Sequence, residues 1–94
     1  MLDNKNGSVY FILDTSCDLV KIGYSKDVHR RMKQFKTSNC NLKLLYQIDN
    51  CSMDYEKMLH EFFKHIRVKR EWFRYDSCIK LWIKRHKLEQ QYRN

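Results

Sequence analysis

A lysine on a strand and an arginine on the border of a helix, joined by one tight turn, are the residues of this chain best suited to handle a phosphate. They lie in residues 20–31, VKIGYSKDVHRR, as Lys21 and Arg31. Lysine supplies a compact charge, and arginine supplies a planar fork that matches phosphate oxygens. Two further basic groups stand downstream. Arg67, Lys69 and Arg70 form one short stretch, and Lys80, Lys84, Arg85 and Lys87 recur at helical spacing. Contacts of this kind along a phosphate backbone give affinity without choosing a sequence.

The elements that would position these groups follow from local pattern. Val20 and Ile22 are strand formers, and Gly23 relaxes the backbone where the chain bends. Ser25 is predicted to cap a helix from Lys26 to about Lys36, with Val28, Met32 and Phe35 as its apolar stripe. That phase puts Arg31 at the edge of the stripe and Arg30 on the far side, in solvent; Lys26 and Arg30 are assigned to nucleic-acid contact. Residues 8–13 read as a strand, 14–18 as its turn and 19–24 as the returning partner. Pairing Tyr10 directly with Lys21 sends both side chains to one face, whereas a slip of one residue separates them.

Leu42, Leu44, Tyr46 and Ile48 alternate along a third strand. Ser52 is expected to cap a second helix, with Asp54 and Glu56 in its first turn and Tyr55, Leu59, Phe62 and Ile66 as its buried stripe. Residues 67–70 read as a basic turn and 71–75 as a short extended segment. There Trp72 and Phe73 close the core, and Glu71 accepts from a nearby basic group. Ser77 is expected to cap a last helix bearing Ile79, Leu81, Trp82, Ile83 and Leu88. The fold expected is α+β, a three-stranded antiparallel sheet with flanking helices. It forms one domain over residues 1–94, with a core at about 7–76 and a basic helix at about 77–91.

In this order, Ser8-Val9-Tyr10, Lys21-Ile22-Gly23, Arg31, Glu56, Leu59-His60 and Glu71-Trp72-Phe73 resemble the GIY-YIG nucleases. The likeness is to a small branch common in phages and large DNA viruses, whose second triplet begins with lysine. The chain departs from the wider family at Ser8, in place of the first glycine, and at Lys21, in place of a second tyrosine. The resemblance implies a metal-dependent endonuclease acting on DNA. Tyr10 would position or deprotonate the attacking water, Arg31 would grip the scissile phosphate, and Glu56 would hold Mg2+ or Mn2+. His60 lies one turn beyond Glu56, within reach of the ion's water shell or a phosphate. Lys21, as a neighbouring cation, would lower the pKa of Tyr10. The competing reading is a nucleic-acid-binding module that keeps the fold without catalysis.

The balance of the chain agrees with an anionic partner. It carries a net charge of +8 over 94 residues, which favours nucleic acid over an acidic membrane surface. No apolar run approaches membrane-spanning length. Cys17, Cys40, Cys51 and Cys78 are too widely spaced for a Cys-x-x-Cys metal pair. With residues 1–6 polar, they are expected to be free thiols in a reducing, intracellular compartment. No separate DNA-reading domain is expected in this length, so sequence-specific cleavage would need a homo-oligomer or a partner protein.

Overall fold

The computed structural model describes residues 6–92; the polar reading of residues 1–5 lies outside them. The chain runs β1 (Gly7–Asp14), β2 (Leu19–Ser25), α1 (Val28–Ser38), β3 (Leu42–Cys51), α2 (Met53–Phe62), a 3₁₀ turn (Lys64–Ile66), β4 (Arg67–Lys69), β5 (Trp72–Arg74) and α3 (Ser77–Tyr92). All strand pairs are antiparallel, in the order β3-β1-β2-β5-β4. The sheet thus has five strands rather than the expected three. The basic stretch Arg67, Lys69 and Arg70 is a strand and its turn, not a turn alone. Three-residue strands carry no alternation that sequence reading can detect; only pairing with β2 makes β5 a strand.

Alternation along β1 sorts its side chains between two layers. Val9 and Phe11 join Val20, Ile22, Leu59, Phe63, Phe73, Ile79 and Ile83 on the face covered by α2 and α3. Tyr10 and Ile12 join Val28, Met32 and Leu42 on the face covered by α1. The expected alternation of β3 breaks at a bulge between the partners of Phe11 and Ile12. Leu42 packs on the α1 face, while Tyr46 and Ile48 pack on the other.

The helix caps shift by small steps. Asp27, not Ser25, caps α1 by accepting from the Arg30 N–H, while the Ser25 hydroxyl accepts from the Asp27 N–H. Asp76, not Ser77, accepts from the Cys78 N–H at the start of α3. Ser52 does precede α2, but its side chain makes no capping bond. Leu81 and Leu88 of α3 are exposed, because the helix turns Cys78, Ile79, Trp82 and Ile83 towards the sheet layer instead. The four cysteines are free thiols, with Cys51 buried.

The stripe of α2 is also corrected. Phe62 is 59% exposed, and Phe63, at the helix end, is fully buried. Phe62 and Phe63 both stand at helical spacing from Leu59, and it is Phe63, whose N–H closes the last helical bond to the Leu59 carbonyl, that faces the core. Phe63→Ala is expected to cost about 3–5 kcal/mol in chemical denaturation. Phe62→Ala should stay within about 0.5 kcal/mol; a larger loss at Phe62 would contradict this packing.

Candidate active site

The site forms where the sheet runs out. Strand β5 pairs with β2 only along Leu19, Val20 and Lys21. At the next residue, the Ile22 N–H donates to the Glu71 carbonyl at 3.0 Å, and the Ile22 carbonyl accepts from His60 Nε2 at 2.8 Å. The imidazole therefore stands where a further strand residue would. Helix α2 and the β4–β5 hairpin tip meet the α1 face around this open end of β2. Arg70 takes φ 52 in the tight turn that presents Glu71.

Tyr10 pairs with Gly23, and Lys21 pairs with Ile12. The expected direct Tyr10–Lys21 pairing is thus two residues out. A shift of two preserves parity, so the two side chains still share the α1 face. The phenol of Tyr10 lies directly over Gly23, where a Cβ would come within 2.3 Å of its hydroxyl oxygen. The chain's other glycine, Gly7, lies under the phenol of Tyr24 in the same way.

Tyr10 is buried, and its pKa is pushed up to about 12, first by burial and then by the negative charge of Glu71. The Arg31 charge acts in the opposite direction, and Glu56 raises it further. This corrects the expectation that Lys21 holds the phenol's pKa down. Lys21 Nζ instead faces Glu71 Oε2 at 3.7 Å and lies 5.2 Å and 5.7 Å from the ring centres of Phe35 and Trp72. Because the folded pKa is raised, Tyr10 contributes stability that is full below pH 10 and lost as pH climbs towards about 12. Alkaline denaturation midpoints should fall over that window, and Tyr10→Phe should remove Tyr10's share of the fall. An unchanged pH profile in Tyr10→Phe would contradict the burial argument.

Glu56 is half-buried on α2, and its carboxyl is raised by burial and then by Glu71, with His60, Lys21 and Lys57 pulling the other way. Tyr10, Lys21, Arg31, Glu56 and His60 are thereby brought around one place. Glu71, read from sequence as structural with contact at the active site as the alternative, stands among them as well. It does face a basic group, but that group is Lys21 at the site, and the contact is an ion pair rather than a hydrogen bond. Nothing in the sequence near Glu71 marks this, since only the hairpin pairing carries it there. The donor set suits a divalent cation: two carboxylates in a half-buried place, with Glu71 raising the Glu56 carboxyl's need for positive charge.

The basic residues divide into separate groups. Lys26, Arg30 and Arg31 line one open cavity of about 490 Å³ with Tyr24, Asp27 and Gln34. Arg30 is therefore a neighbour of Arg31 rather than its opposite; both heads are exposed and reach the same hollow from successive positions. Arg67, Lys69 and Arg70 are exposed on the hairpin at the sheet's edge. Lys84 stands apart on α3, beside Lys80 and Lys87, on the face away from α1.

Among the described residues, no helix is long and apolar enough to cross a membrane. No curated protein and no solved structure matches the chain. A family model does match, over residues 7–90, and it spans the hairpin, α1, α2, most of α3 and every residue of the site just described. The chain therefore belongs to the T5orf172 domain family, a phage-associated group linked to nuclease-like, DNA-binding function.

Proposed function

We propose that this protein is a GIY-YIG-type endonuclease that hydrolyses DNA phosphodiester bonds, using Mg2+ or Mn2+, with little intrinsic sequence preference. The observation that carries the reading is the meeting of Tyr10, Arg31 and Glu56 at one open strand end, close enough that Arg31 and Glu56 both act on the Tyr10 phenol. A domain that only bound nucleic acid would need the arginine but not a buried phenol and a half-buried carboxylate beside it.

Each residue has a stated part. Arg31 grips the scissile phosphate with its fork. Tyr10, protonated at neutral pH, donates its O–H to orient the water or a phosphate oxygen, so positioning is favoured over deprotonation. Glu56 holds the divalent ion, which supplies positive charge to the developing oxyanion. Lys21 holds Glu71 until a phosphate or ion takes its place. Lys26 and Arg30 extend the grip to neighbouring phosphates, with Arg67, Lys69, Arg70 and Lys84 as outer contacts. A homo-oligomer or a partner protein would supply sequence choice.

One observation favours the second reading, a binding module without catalysis: Lys21, where most relatives in the wider family have tyrosine, is paired with Glu71. Incubating supercoiled plasmid with the chain in Mg2+ or Mn2+ separates the two. Nicking that disappears in Glu56→Gln supports the endonuclease; tight binding with no nicking in either metal supports the module. In both cases, duplex binding should weaken steeply with salt. Contact with about five phosphates gives a log–log slope near −4 to −5. A flat titration would remove DNA as the partner.

A further inference from the structure

A nitrogen of His60 and one carboxylate oxygen each from Glu56 and Glu71 all lie within 4.8 Å of one another. We propose that these three side chains are one ligand set, two carboxylates and the Nδ1 of His60, and that it selects a first-row transition ion such as Mn2+ over Mg2+. The inference rests on the nuclease reading for the purpose of the ion, but its geometry stands independently of cleavage.

His60 is prepared for this. A backbone carbonyl can only accept, so Nε2 carries the proton in its 2.8 Å bond to the Ile22 oxygen. The neutral ring then has one nitrogen left for a cation, Nδ1. A ligating histidine commonly donates its other N–H to a carbonyl or carboxylate, which fixes both tautomer and ring orientation. The Phe73 ring packs edge-on against the imidazole at 5.1 Å and holds its plane. Glu56 lies one helical turn earlier on α2, on the same flank.

Glu71 is held by the same strand residue. The Ile22 N–H binds the Glu71 carbonyl, while the Ile22 carbonyl binds His60. One residue of β2 thus positions two of the three ligands from its two backbone groups. Ligands about 2.1 Å from an octahedral ion lie about 3.0–4.2 Å apart, so closing from 4.8 Å needs only a small side-chain adjustment. The preference follows from the donors. Mg2+ favours oxygen ligands and retains its waters, whereas a first-row transition ion accepts an imidazole nitrogen beside carboxylates; Mn2+ is the weakest binder of that series, so a preference seen with Mn2+ is a lower bound for the later ions.

Lys21 adds a second consequence. Its ammonium lies 3.7 Å from Glu71 Oε2, so it competes with any ion that uses Glu71. An ion held by Glu56 alone would also feel the charges of Lys21 and Glu71, which both act on the Glu56 carboxyl, so nitrogen coupling from His60 is what distinguishes the three-ligand site.

The test is Mn2+ binding to the full chain without DNA, followed by electron paramagnetic resonance. Wild type should bind Mn2+ at least about tenfold more tightly than Mg2+ in competition, and pulsed spectra should show nitrogen coupling. Labelling the histidines with 15N should change that coupling in the unaltered protein, so the result does not depend on a variant folding. Glu71→Gln should weaken Mn2+ binding by about 10- to 100-fold. Lys21→Met should tighten it. Bound Mn2+ without nitrogen coupling, or Glu71→Gln with wild-type affinity and an intact melt, overturns the three-ligand site. A chain that nicks DNA but lacks the coupling refutes this inference alone. A chain with the coupling that never nicks refutes the nuclease reading alone.

Discussion

Arg31→Ala is expected to lower plasmid nicking by on the order of 10²–10³-fold while leaving the melting temperature nearly unchanged. Its guanidinium is exposed and lies 6.0 Å from the Phe35 ring centre, so the fold loses little beyond that contact. Its charge nevertheless acts on the buried Tyr10 phenol, the proposed positioning group. Arg31→Lys keeps the charge but loses the two-pronged geometry, and should recover only part of the rate. Arg30→Ala is the control. Arg30 lines the same cavity, beside Lys26, so its loss should weaken DNA binding and lower the salt slope by about one while leaving the turnover rate of bound DNA intact. Equal losses of turnover in the two alanine variants would mean that the cavity, rather than Arg31 itself, governs the reaction.

Gly23→Ala should produce a large loss of stability from a single methyl group. The added carbon would stand 2.3 Å from the Tyr10 hydroxyl oxygen, 2.4 Å from Cζ and 2.8 Å from Cε1. The ring has little room to retreat, since Tyr10 is 2% exposed and Phe35 packs 6.3 Å away between centroids. The expected cost is about 3 kcal/mol, or on the order of 10–20 °C in melting temperature for a domain of this size. Cleavage should fall with it, because the displaced phenol is the proposed positioning group. Gly23→Ala with Tyr10→Phe should give no relief, since Cζ and Cε1 remain in the way. Gly23→Ala with Tyr10→Ala should be no less stable than Tyr10→Ala alone, as the clash has been removed. Strict additivity of those two changes would show that the close approach is not the cause. The arrangement also accounts for the third residue of the Lys21-Ile22-Gly23 triplet as a steric necessity.

What the sequence by itself determined was local. The β1–β2 hairpin is legible because strong strand formers flank a polar turn. The shared face of Tyr10 and Lys21 survives a misplaced register because strand geometry depends only on parity. Helices α1 and α2 are legible from their periodicity, and Glu56 and His60 share a flank by spacing alone. What only the tertiary structure decided depends on partners distant in the chain. Strands β4 and β5 exist because β2 offers an open edge, and no three-residue window contains that information. Glu71 reaches the site because this pairing stops at Lys21 and leaves the Ile22 backbone to hold both Glu71 and His60. Tyr10 remains protonated because α1 buries it and Glu71 faces it, while the cation expected to ionise it is held elsewhere. Phe63 rather than Phe62 enters the core because the position four residues after Leu59, not three, faces the sheet. In each case the deciding term is burial or a backbone partner, and neither is a property of the residues considered one stretch at a time.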